Sequence, residues 1–292
     1  MPCIEKIYSI SVLTGNGMCN AKCKHCAAVD LRKQSLPSTE GTIRNLRAAM
    51  RLSRNYGGWA ISLTSSGEPS MSPIAVTKTL QEIDSEAKDH GTAFPFINLF
   101  TNGILFGDKG YCDKWLPKWK KLGLTAVAVS VHSTKRAEQA KAYGLLPKNY
   151  PSLQVIFDNI KAHGLTPRVT LLLGKDNINN AKTYKEAVDD LIDMGVNMIT
   201  SWPLQTYDGK RFEHTPSRLG MMSIRWWLLR NTERTLGHSW GGTVNSYKGI
   251  SLRLTNYVSK HKPKNKFIRQ LVVFQDGTVA YSWFQKGAFC IK

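Results

Sequence analysis

The chain has 292 residues, 42% of them hydrophobic, with 40 Lys and Arg against 21 Asp and Glu, a net charge of +19. That length buries a sizeable core, as one large domain or two small ones, and no run reaches the ~18 consecutive apolar residues of a membrane-spanning helix. The opening MPCIEKIYSI lacks the basic start, apolar run and cleavage site of a signal peptide, so a cytoplasmic protein with no membrane partner is expected. The positive balance favours an anionic partner: nucleotide, nucleic acid or acidic peptide. The charge is dispersed, however, and its densest run, KHKPKNKFIR from Lys260 to Arg269, reads as a solvated loop. Six cysteines without a secretion signal do not suggest a disulfide framework.

A first strand is expected at Ile7 to Leu13, IYSISVL, running into a glycine-bearing loop, TGNGMCNAKCKHCAA. A helix is predicted from Ser38, with Glu40 close by and apolar Ile43, Leu46 and Met50 spaced three and four apart. Trp59 to Thr64 reads as a short buried strand ending in SSGEP, followed by a helix over Pro73 to His90 and a strand, Phe96 to Phe100, ending in TNG. Cys112 to Leu122 is a short helix and Thr125 to Ser133 a strand. Pro151 to His163 is helical, with Leu153, Ile156, Phe157 and Ile160 on one face. Pro167 to Gly174 is a strand, Ala181 to Met194 a helix striped by Tyr184, Ala187, Val188, Leu191 and Ile192, and Val196 to Leu204 a sixth strand.

Short apolar strands alternating with amphipathic helices predict a parallel α/β sheet with helices packed outside. About six units are too few for a closed eight-stranded barrel, so the expectation is an open, partial six-stranded TIM-like barrel. After Leu204 the pattern changes. Pro216 to Leu236 reads as a long helix with Leu219, Met222, Trp226 and Leu229 inward. FIRQLVVFQDGTVAYSWF reads as an antiparallel hairpin about a two-residue Asp276–Gly277 turn. Residues 1–215 are thus expected to form the barrel core, and 216–292 a helix and hairpin packing on it.

Cys19, Cys23 and Cys26 stand in the spacing C-x3-C-x2-C. Structural zinc wants four ligands, and His25, adjacent to Cys26, is poorly placed to be the fourth. Catalytic zinc on three cysteines leaves the surrounding sequence unexplained, and a ferredoxin cluster carries a fourth Cys in a different spacing. The remaining option is a 4Fe–4S cubane on three cysteines, with one iron open to a substrate or cofactor.

This motif, in the loop after a first strand, resembles the radical S-adenosylmethionine (SAM) enzymes, nearest in appearance to the core of the molybdenum-cofactor precursor synthase branch. The resemblance implies one 4Fe–4S cluster on Cys19, Cys23 and Cys26. Its open iron chelates the methionine part of SAM, and reductive cleavage of the sulfonium gives a 5'-deoxyadenosyl radical that removes a substrate hydrogen. It also implies an external one-electron donor such as flavodoxin or ferredoxin. Ser66, Gly67, Glu68 and Pro69 resemble the family's GGEP element, with Ser66 in place of its first glycine, and would engage the methionine ammonium. Thr101 and Asn102 of TNG match the branch, as do Ser130 and Arg168 for the methionine carboxylate and Leu204 for the adenine. A guanidinium suits a carboxylate through two parallel hydrogen bonds. The likeness covers Ile7 to Leu204.

Beyond it, Cys3, Cys112 and Cys290 lack metal-ligand spacing, so a single cluster is expected, unlike the two of the synthase itself. The substrate expected is a small anionic metabolite such as a nucleotide, with RNA or a ribosomally made peptide as alternatives. A non-catalytic iron–sulfur redox sensor is the non-enzymatic alternative. The candidate catalytic residues are His132, which can exchange a proton near neutral pH, and Tyr281, which either faces the cavity or fills the open side of the sheet.

Overall fold

Six short apolar runs form the expected parallel strands: β1 (Lys6–Leu13), β2 (Ala60–Thr64), β3 (Phe96–Thr101), β4 (Ala126–Val131), β5 (Thr166–Leu173) and β6 (Met198–Pro203). They pair side by side in chain order. The computed structural model describes residues 4–26, 28, 40–206, 210–237, 243–255, 267–283 and 289–291. Helices α1 (Glu40–Asn55), α2 (Pro73–His90), α3 (Lys109–Lys121), α4 (Arg136–Ala142), α5 (Leu153–Ala162) and α6 (Ala181–Asp193) alternate with these strands. The short polar α4 was not expected from the sequence. The predicted start of α1 at Ser38, and the side chain of Ile43, lie outside the described residues, but Leu46 and Met50 are buried as expected.

The helix boundaries have local causes. Pro73 opens α2, where a missing N–H costs nothing, and Gly91 ends it at φ 63. Asn180 caps α6, its side chain accepting from the backbone of Lys182 and Thr183. The stripe of α5 and, apart from half-buried Ile192, that of α6 are buried in one core with the strand residues facing them. Along β5 burial alternates strictly: Pro167, Val169, Leu171 and Leu173 are buried, whereas Thr166, Arg168, Thr170 and Leu172 are half-buried on the other face. That second face turns to the interior of the curled sheet.

The sheet is larger than six strands. Strand β9 (Ile250–Leu254) pairs parallel with β6, and β10 (Phe267–Val273) pairs parallel with β1, making eight contiguous parallel strands. Antiparallel β8 (Thr243–Tyr247) and β7 (Glu233–Gly237) extend one side; β11 (Val279–Ala280) and β12 (Phe289–Ile291) extend the other, giving twelve strands among the described residues. The sheet is not closed, but it curls: the Arg269 guanidinium of β10 lies 5.8 Å from the ring centre of Trp202 on β6, six strands away in the order. The fold is an open, TIM-like parallel α/β barrel.

Two expectations for the carboxyl-terminal part are corrected. The long helix is α7, Arg218–Asn231, and it presents its other face to the core. Leu219, Met222, Trp226 and Leu229 are 76%, 49%, 56% and 77% exposed, while Gly220, Met221, Ile224 and Leu228 are buried. This helix is apolar on two sides, and Gly220 decides between them. A Cβ there would lie 1.9 Å from the Asn179 carbonyl oxygen, so the backbone approaches on a face only glycine allows. Trp227 is packed, with its ring centre 5.0 Å from Tyr247 and 5.7 Å from Tyr184. The hairpin of β10 and β11 is antiparallel as predicted, but its loop is one residue longer than expected. Phe274 N–H donates to Thr278 O at 2.8 Å, leaving Gln275, Asp276 and Gly277 (φ 86) between them. No helix among the described residues is long and apolar enough to cross a membrane.

Candidate active site

The cysteine loop starts where β1 ends. Thr14 donates twice to the Thr64 carbonyl, from N–H at 2.7 Å and Oγ1 at 3.0 Å, tying the loop to the end of β2. Gly15 and Gly17, at φ 83 and 79, turn the chain across the carboxyl ends of the strands. Four further contacts fix it there. Glu68 N–H donates to Met18 O at 2.7 Å, and Asn102 Nδ2 donates to Asn20 Oδ1 at 2.7 Å. Lys22 N–H donates to Tyr143 O at 2.8 Å, and the Nε2 atoms of His25 and His132 share a hydrogen bond at 3.2 Å. Cys19, Cys23 and Cys26 are half-buried on this loop.

Gly67 explains why the SSGEP turn must carry glycine. A Cβ at this position would lie 2.2 Å from Met18 O and 2.3 Å from Gly17 O, so the two loops touch backbone to backbone. The neighbouring Glu68 is 3% exposed. Its Oε1 accepts from Ser70 N at 3.0 Å, Ser70 Oγ at 2.6 Å and Thr101 Oγ1 at 2.7 Å. Its Oε2 accepts from Asn102 N at 2.7 Å. Burial raises the pKa of this carboxyl, against hydrogen bonds from Ser70, Asn102 and Thr101 that favour the ion. Pro69 starts a single 3-10 turn that Glu68 caps. Glu68 therefore ties the end of β2 to the end of β3, in the span where sequence reading placed a cofactor contact.

His132 directly follows β4 and is 3% exposed. Its pKa is well below the ordinary histidine value, first through burial and then through His25. The same two kinds of effect, burial and then His214, hold His25 at about 4. Both rings are therefore neutral near pH 7, and His132 fastens the cysteine loop to β4. Ser130 lies two residues earlier; its carbonyl accepts from Tyr143 Oη at 2.7 Å and Gln139 Nε2 at 3.1 Å.

The remaining expected residues lie outside this hydrogen-bonded rim. Arg168 points to the barrel interior, its Nη1 donating to Asn98 Oδ1 at 2.8 Å. Leu204 follows β6; its Cδ1 lies 3.0 Å from where a Gly174 Cβ would stand. Tyr281 packs against the small cluster of Leu13, Val272, Phe274 and Ala280. The rim also uses residues that the sequence did not mark, among them Asn20, Ser70, Tyr143 and, from the far end of the chain, Gln275. Gln275, in the hairpin loop, accepts from Ser66 Oγ at 3.3 Å and donates to the Gly15 carbonyl, so it bridges the two glycine loops. Its signal in the sequence is only a polar residue in a turn. Cys112 is buried away from the rim, its thiol on the Phe106 carbonyl at 3.4 Å and pushed up to about 12, chiefly by burial. Cys3, and the side chain of Cys290, lie outside the described residues.

The family model of the radical SAM superfamily matches residues 15–208, well over half the chain. The chain belongs to this superfamily and is an enzyme. No curated protein sequence matches it. Among solved structures, native anSMEcpe with bound AdoMet and the Cp18Cys peptide aligns at 12% identity and TM-score 0.62, covering 95% of this chain and 74% of that one. Native anSMEcpe with bound AdoMet aligns at 10% identity and TM-score 0.56, over 76% of this chain and 60% of that one. HydG, a maturase of the FeFe-hydrogenase, aligns at 14% identity and TM-score 0.54, over 76% of this chain and 49% of that one. At these identities the likeness is one of fold.

The superfamily uses a 4Fe–4S cluster and SAM, and the donor set fits the cluster. The loop offers three soft thiol ligands within eight residues and holds them half-buried at the functional rim of a parallel barrel. Among the described residues, no three Cys, His, Asp or Glu side chains converge on a mononuclear site. A cubane is different, since each thiolate binds its own iron.

Proposed function

We propose that this chain is a cytoplasmic radical SAM enzyme with a single cluster, acting on a small anionic substrate and fed by an external one-electron donor. Cys19, Cys23 and Cys26 hold the cluster. When bound, the cluster and SAM supply a 5'-deoxyadenosyl radical that removes a hydrogen atom from the substrate. The chain's own residues bind, orient and exclude water, so that the substrate carbon stands next to the 5' carbon. The backbone at Ser66–Gly67 faces the methionine ammonium, held in place by Glu68 and Pro69. Thr101 and Asn102 complete that wall, Ser130 and Arg168 take the methionine carboxylate, and Leu204 packs on the adenine. His132 positions the cysteine loop, and Tyr281 borders the substrate side.

The observation that carries this reading is the hydrogen-bonded rim. One set of contacts joins the cysteine loop to Gly67–Glu68 and to Asn102, three sites separate in sequence, at the carboxyl ends of β1 to β3. A second reading, an acidic peptide substrate, draws on the peptide held by the anSMEcpe structure.

Anaerobic reconstitution tests both parts. About four irons per chain are expected, with slow SAM cleavage after reduction even without substrate. Eight irons would end the single-cluster reading, and no cleavage would end the enzymatic role of this site. Turnover with deuterated nucleotides, against deuterated acidic peptides, separates the substrate readings by which one delivers deuterium to 5'-deoxyadenosine.

A further inference from the structure

The barrel interior holds a second polar region that the rim does not use. The paired positions Ala128 and Arg168, Thr170 and Thr200, and Thr200 and Arg253 share one face of the sheet. Leu172 and Trp202 belong to the same set. Arg168, Trp202 and Arg253 therefore project into the interior from β5, β6 and β9. The Arg269 guanidinium reaches the same place, over the Trp202 ring.

The chemistry of this group is unbalanced. Among the described residues, Arg253 Nε and Trp202 Nε1 are buried and donate to no protein acceptor. Arg168 donates to a neutral amide, Asn98. Neither Arg168 nor Arg253 forms an ion pair with a described carboxylate, and the charge that acts on Arg168 is Arg253, of like sign. Burying guanidinium groups together costs free energy unless an anion is supplied. Orphan donors next to them add to that cost. Trp202 offers its face to Arg269 and so keeps its N–H edge for a ligand. An arginine fork matches the paired oxygens of a carboxylate or phosphate.

We propose that Arg253 and Trp202 form an oxyanion site inside the barrel, next to but separate from the cofactor-facing Arg168, that seats the carboxylate or phosphate of the substrate. This rests on the radical SAM reading above and makes its anionic substrate specific to named residues. Arg253 thereby fixes the acidic end of the substrate while its reacting carbon faces the cysteine loop.

Calorimetric titration of the cluster-loaded protein with inorganic phosphate, with acetate and with SAM tests this. Wild-type protein is expected to bind phosphate or acetate with an affinity that falls as salt rises. Arg253→Met, which keeps the apolar stem, should weaken that binding at least about tenfold, as should Arg253→Gln. Trp202→Phe, which removes the N–H and keeps the ring, should weaken it about threefold to tenfold. Iron content and SAM affinity should stay within about twofold of wild type in all three variants. The proposal is overturned if wild-type protein binds neither anion, or if the Arg253 variants bind as wild type does. An equal loss of SAM affinity would also overturn it, assigning the site to the cofactor's own carboxylate. Failure of the radical SAM reading is distinguishable: SAM would not bind or be cleaved in any variant, whatever phosphate does.

Discussion

Glu68 and Arg253 are both charged side chains drawn into the same curled sheet, and their surroundings differ in kind. Glu68 accepts four hydrogen bonds from Ser70, Thr101 and Asn102. Among the described residues, the buried Nε of Arg253 has no protein acceptor, and neither has the Nε1 of Trp202. One region is finished before any ligand arrives; the other is completed only by an anion. Pre-organisation requires the first, because loops that hold a cofactor must not rearrange around it. Recognition requires the second, because donors already satisfied by protein have nothing left to offer a substrate.

The largest effect is expected at the finished region. Glu68→Gln nearly preserves shape but removes the charge and sets an amide N–H2 against donors from Thr101, Ser70 or Asn102. Losing these charge-assisted bonds in a buried site should cost about 3 kcal/mol in denaturant unfolding of the ligand-free protein. An unchanged midpoint would mean that the four contacts are incidental and the comparison is empty. Weaker SAM binding is expected alongside it, with the cluster retained.

Gly67→Ala comes next. Its methyl would meet the Met18 and Gly17 carbonyl oxygens at 2.2 and 2.3 Å, so backbone, and not a side-chain tip, must yield. About 2 kcal/mol of stability should be lost. Because the displaced segment leads into Cys19, iron incorporation should fall as well. A variant that loads iron normally would show that the two loops move independently.

His132 supplies a pH-dependent effect of smaller size. Its folded pKa is depressed while its unfolded value is about 6.5, so the native ring stays neutral where the unfolded ring takes a proton. Stability is therefore full above about pH 6.5 and declines as pH falls below it, by up to about 1.4 kcal/mol per unit, until the folded pKa is reached. Unfolding curves at pH 8, 6 and 5 should show this decline, shallower in His132→Gln. A slope identical in the variant would assign the loss to other groups.

How much of this contrast the sequence carried depends on how each strand earns its place. Strands β1 to β6 are apolar runs bounded by turn residues, and the helices between them carry single apolar stripes, so order and direction were legible. So was the rim, because cysteines, GEP and TNG are chemically marked. The strands β7 to β9 were missed: ERTLG, TVNSY and ISLRL mix polar and apolar residues, and all of β8 is half-buried, without a period-two contrast. Arg253 lies in that stretch, so the interior partner of Arg168 was invisible from sequence. Likewise α7 offers two apolar stripes. Only a backbone contact at Gly220, which joins segments far apart in the chain, selects the buried one.

The smallest expected change is the most direct test of the contrast between Glu68 and Arg253. Arg253→Met leaves an apolar stem in the space of the arginine stem and removes both the half-buried charge and its buried, orphan Nε donor. Replacing buried ionic groups by hydrophobic residues of similar volume is often neutral or stabilising. Ligand-free Arg253→Met should therefore unfold at the same denaturant concentration as wild type, or gain about 1 kcal/mol. Its like-charged neighbour Arg168, disfavoured first by burial and then by Arg253, is also partly relieved. Adding phosphate should reverse the ranking, because a ligand that binds only the native wild type stabilises it by mass action. A loss of 2 kcal/mol or more without phosphate would show that Arg253 already has its partners in the fold. The two regions would then be alike, both of them scaffold.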